Sequence, residues 1–578
     1  MSDTATTYNH KINNNDYTFR VTLVSVAGNQ STGQDISPTN IKELFIGESL
    51  NQFYSEGYII IDNNQDVIER DTPNISPYTT PAYYNNAGST NETATNQNAG
   101  FVFRGEARDI LKIDIMPKLD TQTVDGLGSS DGQKYFYINY DFAIHNSEEI
   151  PGDKPGEKLK KLYFRDLFYQ LMLEKNVPFT TATVADALAN STPLTELSLV
   201  PTASAITLPQ NADNSDRAIS TGLALKEFIK AAFPPDDNYP ASFAITIPGV
   251  DDITTLTPAE QDQQNIDWDL GGTNIFFSTP ANFKAIDCVK YIMSRHVSDA
   301  NSNFDQCFLQ LTRDSRQFKL KSLIQYFREA YNATNDSPGN LYLETVKIGG
   351  NTQQDGQDNT LPYFTPSSGL HFDRIGTIKS FSFDNMAGVI SQLKLVPTFV
   401  HSYDYQNKQF QIDIARNGIA QAMKTYQQNY VNYMNSSNEE QAFPNFAPGQ
   451  LRHQNKNVSN VFSTTNQDAD QRLAWGRNEF LYASVFTNNL MSFRLIGSTH
   501  RQPGNFIGID RDGAIPSSKF DNKLLGIYLI LEVRHSFQGN KYYNDLHCIK
   551  VYNFKQLDDT YTKEQADGNL IGLVSNGQ

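Results

Sequence analysis

From Tyr17 the chain alternates strictly, with Tyr17, Phe19, Val21 and Leu23 on one face and Thr18, Arg20 and Thr22 on the other. Successive side chains of extended backbone point to opposite faces, so this period of two predicts a half-buried strand. Runs rich in Tyr, Phe and Ile predict further strands at Ile41–Ile46, Gly57–Ile61, Phe101–Arg104, Asp109–Ile115 and Tyr135–Ile144. Together they describe an antiparallel barrel or sandwich over residues 1–150. Residues 64–100 are dominated by Asn, Thr, Tyr, Pro and Ala without periodicity, which reads as a long surface loop inserted into that domain.

The pattern changes near Pro151. Leu159, Leu162, Leu167 and Leu171 sit among strong helix formers and predict a helix over Glu157–Asn176. Leu225, Phe228, Ile229 and Ala232 fall at i, i+3, i+4 and i+7, predicting a helix over Thr221–Phe233 that Pro234-Pro235 stops. A third helix is predicted over Asn282–His296, with Ile286, Val289 and Met293 along one side, leading into strands Phe308–Leu311 and Gln317–Leu320. Helices packed on short strands make residues 151–370 an α+β module, closed by a polar stretch over Asp336–Asn359.

Strands resume at Gly376–Phe383 and Val389–Val400, opening a third segment over 371–556. Within it, Ile419, Met423, Tyr426, Tyr430 and Tyr433 follow the spacing of an amphipathic helix. That seam packs on its own domain or, alternatively, between subunits. With the Asn-, Gln- and Ser-rich stretch Ser436–Asp470 it forms an insertion over about 411–480. Farther on, Phe493 and Leu495, then Ile527, Leu529, Leu531 and Val533, alternate before the turn Gln538-Gly539-Asn540. With Gly539 and Asn540 as a two-residue turn, Gln538 pairs with Lys541 and Glu532 lies opposite His547. Residues 557–578 form a polar tail. Gly132-Gln-Lys-Tyr-Phe136 and Gly539-Asn-Lys-Tyr-Tyr543 echo each other, which is compatible with two related barrels around the middle module and equally with chance in a Tyr-rich chain.

Bulk properties narrow the reading. A chain of 578 residues divides into roughly three or four domains. Aromatics reach 12%, with 36 Phe and 29 Tyr, which supplies cores despite a mean hydropathy of -0.49. A formal charge of -17 argues against a surface that neutralises nucleic-acid phosphates. Cys288, Cys307 and Cys548 are too few and too scattered for a disulfide framework or a four-ligand zinc site and read as free thiols. No apolar run approaches membrane-spanning length, and the N-terminus shows no leader pattern, so the expectation is a soluble protein made in a cytoplasm.

No residue is assigned a catalytic, cofactor-binding or metal role. The elbow, phosphate-loop, zinc-helix and dinucleotide signatures do not occur. Gly126-Leu-Gly-Ser-Ser-Asp-Gly132 lacks the lysine of a phosphate loop and reads as a turn. Asp510-Arg-Asp-Gly513 lacks the later carboxylate of a calcium loop and reads likewise. His535 and His547 are the closest histidine pair, and the hairpin register does not place them opposite each other.

Three segments carry a family resemblance. Ile41-Lys-Glu-Leu-Phe-Ile-Gly-Glu-Ser-Leu-Asn-Gln-Phe-Tyr-Ser-Glu-Gly-Tyr-Ile-Ile-Ile-Asp62 is the first. Thr279-Pro-Ala-Asn-Phe-Lys-Ala-Ile-Asp-Cys-Val-Lys-Tyr-Ile-Met-Ser-Arg-His-Val-Ser298, followed by Phe308-Leu-Gln-Leu-Thr-Arg and Phe318-Lys-Leu-Lys-Ser-Leu, is the second, with Ala285 where a second proline is expected. Tyr403-Asp-Tyr-Gln-Asn-Lys-Gln-Phe410 and the hairpin from Gly526 to Tyr543 complete it. Over about half of the chain these resemble the baseplate hub proteins of T-even-type contractile-tail phages, a group related to the hub part of type VI secretion spike proteins.

The resemblance implies a β-rich α+β fold, with two tail-tube-like antiparallel β-barrel domains flanking a smaller α+β module. It also implies a structural, non-enzymatic role in the virion tail baseplate, without cofactors. The implied assembly is a homotrimer bound to the tail tube protein and the central spike protein, with tape-measure and baseplate wedge proteins as further candidates. It would recognise no specific nucleic acid. Three chains with two similar barrels each make six near-equivalent units, which match a six-fold tube while presenting three-fold symmetry to a spike. Two other classes compete: a virion protein that binds the host surface or cell wall, suggested by the Asn/Thr/Tyr-rich insertions, and a tail-associated wall-degrading enzyme.

Overall fold

The first predicted strand buries the residues that its alternation singles out: Tyr17, Phe19, Val21 and Leu23 are each 3% exposed or less. A computed structural model describes residues 8–12, 15–27, 30–64, 109–117, 138–152, 154–177, 219–232, 268, 274–275, 283–294, 296–298, 305–311, 318–322, 326, 344–347, 380–385, 398–404, 409–415, 452–454, 489–510 and 526–553. The expected strand Phe101–Arg104, the 64–100 insertion past Asn64, the Gly126–Gly132 turn and the Ile419–Tyr433 helix lie outside them.

The first segment holds β1 (Tyr8–Ile12), β2 (Asn15–Ala27), β3 (Gln30–Ile36), β4 (Ile41–Ser49), β5 (Gln52–Asp62), β6 (Asp109–Pro117), β7 (Ile138–Pro151) and β8 (Lys158–Asp166). The middle holds α1 (Leu167–Glu174), β9 (Ile219–Ser220), α2 (Thr221–Ala232), β10 (Asn274–Ile275), α3 (Ala285–Met293), β11 (Val297–Ser298), β12 (Asp305–Leu311) and β13 (Phe318–Ser322). The last holds β14 (Glu344–Lys347), β15 (Ser380–Asn385), β16 (Thr398–Asp404), β17 (Gln409–Ala415), β18 (Arg452–Gln454), β19 (Asn489–Ile496), β20 (Phe506–Asp510), β21 (Gly526–Gln538) and β22 (Lys541–Asn553).

The fold is β-rich and mainly antiparallel. Strands from both ends of the chain share one 14-stranded sheet, with the path β1-β2-β6-β7-β8-β5-β4-β21-β22-β19-β15, β3 on β2, β20 on β21 and β14 on β20. Val21, Ile36, Leu44, Ile59, Ile113, Phe142 and Phe164, from seven different strands, meet in one core. A flat sheet cannot bring β3 and β5 into one cluster, so this part curls around its buried face. Each such side chain contributes about 1.5–3 kcal/mol through burial. Among the described residues no ladder closes the curl into a complete barrel.

The expected helix over Glu157–Asn176 is a strand as far as Asp166 and a helix only from Leu167. Leu162 and Phe164 are buried at period two, and this alternation against β5 and β7 overrides the helix propensity of the lysines between them. Asp166 then caps α1, its Oδ1 accepting from the Phe168 and Tyr169 amides at 2.8 and 3.1 Å. Two of the polar stretches also contain strands: β14 lies within 336–359 and pairs in parallel with β20, and β18 lies within 436–470 and pairs in parallel with β16.

The other two predicted helices form as α2 and α3. With α1 they pack Met172, Leu225, Phe228, Ile286, Val289 and Ile292 against Leu309, Phe318 and Leu320 of the β12–β13 hairpin. Contacts on both sides clamp the module to its neighbours. Tyr54 of β5 stacks on Tyr169 of α1 with centroids 3.7 Å apart, and Gln310 of β12 donates through Nε2 to the Pro503 carbonyl at 2.7 Å.

Candidate functional site at the strand junction

One edge of β21 is divided between two partners. Its first half pairs with β20, from Ile509 opposite Gly526 to Phe506 opposite Leu529, and its second half pairs with β4, from Ser49 opposite Glu532 to Glu43 opposite Gln538. A bulge lies between Ile530 and Glu532. Bulges bend a strand and increase its twist, and this one turns β21 away from β20 and onto β4. The Leu50 amide donates to the Leu531 carbonyl at 2.7 Å at the changeover, while the Gly504 amide donates to Ile530 at 2.9 Å. The hairpin end is fixed as well. Gly539 turns with φ +57°, its amide donates to Lys42, and Gln538 Nε2 reaches Glu43 Oε1 at 3.0 Å.

Behind this ladder runs a buried polar chain joining both ends of the sequence. Glu48 of β4 is 4% exposed and accepts from the Tyr140 hydroxyl at 2.6 Å, and that hydroxyl accepts from Ser55 at 3.2 Å. The other carboxylate oxygen lies 3.7 Å from Nε2 of His535, which is fully buried on β21. His535 Nδ1 meets the Tyr542 hydroxyl at 2.6 Å and Asn544 Nδ2 at 2.9 Å. Asn544 Oδ1 in turn accepts from the Ser498 amide at 2.7 Å and from Arg501 Nη1 at 2.9 Å. Arg501 is 1% exposed and also donates to the Ile496 carbonyl at 2.7 Å. An isolated charge at such depth costs several kcal/mol, so Glu48 and Arg501 persist because the chain between them supplies hydrogen bonds.

The opposite, half-buried face carries a row that crosses the junction without a break. Tyr163, Tyr58, Phe45, Ser536, Tyr543 and Ile496 occupy successive paired positions on β8, β5, β4, β21, β22 and β19. Phe45 and Tyr58 stack at 5.4 Å, and the Lys161 ammonium covers the Tyr58 and Tyr163 rings at 4.2 and 4.6 Å. Burial, and then its hydrogen bond to Glu43, pushes the Tyr58 phenol up to about 12. The next row alternates in sign as Arg165, Glu56, Gly47, Arg534, Asp545 and Arg494, and Arg494 grips Asp545 through two bonds of 2.6 and 2.7 Å. Sheet, core and surface rows thus pass from one terminal segment to the other as one wall.

The side chains singled out in the sequence fall differently. Glu532 does face His547, as the turn requires, and Ser492 Oγ lies 2.8 Å from His547 Nδ1. Glu532 is committed to Arg534 Nε at 2.6 Å, so the three do not form a charge-relay array. His535 faces Asn544 and not His547. Cys288, Cys307 and Cys548 are buried free thiols, and burial pushes Cys288 and Cys548 well above the ordinary thiol range, away from the reactive thiolate. Asp510 ends β20, and Asp512 lies outside the described residues. Among the described residues no group of three or more His, Cys, Asp and Glu side chains is placed to hold a metal ion, and no helix is long and apolar enough to cross a membrane.

No family model and no curated protein matches this sequence. Solved structures resemble it over most of its length. The tail protein from Neisseria meningitidis MC58 is 9% identical, with 92% of this chain and 96% of that one covered and a TM-score of 0.36. The 43 kDa tail protein of prophage MuSo2 from Shewanella oneidensis is 8% identical, with 92% and 98% covered and a TM-score of 0.35. A lidded Francisella PdpA–VgrG complex is 10% identical, with 96% and 55% covered and a TM-score of 0.41.

Proposed function

We propose that this chain is the structural hub subunit of a contractile phage-tail baseplate, a homotrimeric adaptor between the six-fold tail tube and the three-fold central spike that forms part of the DNA channel. The observation that carries this reading is the antiparallel ladder between β4 and β21. It sets the two terminal strand systems side by side in one continuous sheet, the arrangement that a ring of six units from three chains needs at every second joint. The resemblance in Ile41–Asp62, in Thr279–Ser298 and in the final hairpin supports it from the sequence side. In this reading residues 1–150 and 371–556 are the tube-like domains, joined in their sheet by β8 and β14 from either end of 151–370, the rest of 151–370 is the middle module, and the net charge of -17 keeps passing DNA from adhering.

Mass measurement and cryo-electron microscopy of the purified protein, alone and with spike and tube proteins, test the proposal. Three copies, each contributing two similar units to one ring, are expected. A monomer that binds neither partner, or two terminal units of unrelated shape, overturns it.

A further inference from the structure

The buried chain across the junction has a direction. Asn544 Oδ1 accepts from both the Ser498 amide and Arg501, which orients the side chain so that Nδ2 faces His535 Nδ1. An amide nitrogen only donates, so His535 Nδ1 carries no proton, and its single lone pair accepts from the Asn544 amide, with the Tyr542 hydroxyl sharing it at 2.6 Å. The ring proton therefore sits on Nε2, facing Glu48 Oε2 at 3.7 Å. We infer that Glu48, His535, Asn544 and Arg501 form an alignment key for the β4–β21 seam that fits only while His535 is neutral, so that acid loosens the seam.

Glu48 from β4 and Tyr542 from β22 face His535; behind them stand Tyr140 of β7, Tyr17 of β2 with its ring edge-on to Tyr542 at 6.3 Å and, across Asn544, Arg501 of the segment between β19 and β20. A proton added at Nδ1 sets donor against donor at Asn544 and adds positive charge on the side where Arg501 already lies. Asn544 turns to accept it only by releasing both Ser498 and Arg501. Glu48 pulls the other way, but across 3.7 Å and with one oxygen already bound to Tyr140. A small cleft of about 20 Å³ lined by Glu48, Ser55, Tyr140, Gln310 and Gln502 lies against the carboxylate.

Hydrogen exchange of the full chain, read by mass spectrometry at about pH 7.5 and about pH 5.5 and corrected for intrinsic rates, brackets the ordinary histidine value of ~6.5. Protection of residues 43–50 and 526–538 is expected to fall in acid by up to about tenfold per pH unit, the limit for one proton, while β2 and β6 keep theirs. His535→Asn places a carbonyl where Nδ1 stood, keeps the acceptor and cannot titrate, so its seam should show no pH dependence. His535→Gln keeps only the half facing Glu48 and should be weak at both pH values. Equal protection of the native seam at both pH values, or a pH dependence that survives in His535→Asn, overturns the inference. If neither variant folds, the nitrogen-15 shifts of His535 in the native protein decide, since a protonated Nδ1 at neutral pH contradicts the key.

Discussion

Phe537 sets its ring edge-on against Phe19, with centroids 5.9 Å apart and planes at 71°, so a side chain of the final hairpin belongs to the core built by the first strands. It also stacks on Tyr542 at 4.0 Å. Phe537→Ala should cost about 3–5 kcal/mol, as aromatic truncations in cores do. The diagnostic result is where protection is lost. Hydrogen exchange should rise in β2 as well as in β21, and a loss confined to β21 would mean that the two ends do not share a core.

Gly497 is needed for space. A Cβ there would lie 2.2 Å from the Tyr542 ring, which packs over the bare backbone, and the Gly497 amide donates to the Tyr542 carbonyl at 2.7 Å. Gly497→Ala should therefore destabilise the protein by about 1–3 kcal/mol and push Tyr542 off His535. Gly539→Asn is the contrasting variant: its φ of +57° has open space around it, and Asn tolerates that conformation. Thermal unfolding of the two should separate a steric requirement from a conformational one.

Alkaline titration gives a signed prediction. The Tyr58 phenol is raised to about 12, first by burial and then by its bond to Glu43, so folding favours its neutral form. The stability linked to it is complete below the ordinary tyrosine value near ~10 and is lost as pH rises from there through the folded value. Tyrosinate absorbance should show a late-titrating phenol that Tyr58→Phe removes. A phenol at that position ionising near ~10 would contradict the buried bond to Glu43.

The thiols should be silent. Cys288 and Cys548 are fully buried with raised thiol values, and Cys307 is 6% exposed. A thiol reagent at mildly alkaline pH should leave the native protein almost unlabelled and modify all three cysteines once it is unfolded. Rapid native labelling of Cys548 would mean that the seam beside Arg501 opens readily.

How much of this was legible in the sequence depends on the distance over which each signal acts. Gly539-Asn540 announced the hairpin, and both expected pairs, Gln538 with Lys541 and Glu532 with His547, are present. Of the alternating residues, Leu529, Leu531 and Val533 are buried as expected, but Tyr528 and Ile530 between them are buried too, because the bulge shifts the parity and turns both into the core. Apolar residues on both sides of the shift hid it. Lys158–Asp166 misled because its lysines are good helix formers, whereas the pairing that makes it a strand comes from elsewhere in the chain. The polar chain at the junction was missed altogether. Glu48 follows Leu44 and Ile46 on the inward parity of β4, and His535 lies between Val533 and Phe537 on that of β21. A charged or titratable residue on an apolar stripe was the available sign, but its partners lie in strands that no local pattern connects.

The β4–β21 ladder also sets a timetable. Glu43 and Gln538, bonded across it, are separated by 495 residues of chain. At ~5–20 residues per second, a ribosome delivers the second roughly 25–100 s after the first. For that interval the nascent protein carries β4 with an open edge, a template onto which any passing strand can zip. Lys42, Glu43 and Glu48 are charged positions along that edge, of the kind that discourages such encounters. A polypeptide built this way is safest when its own tail arrives before a neighbour's, so crowded polysomes are where its assembly is most exposed to error.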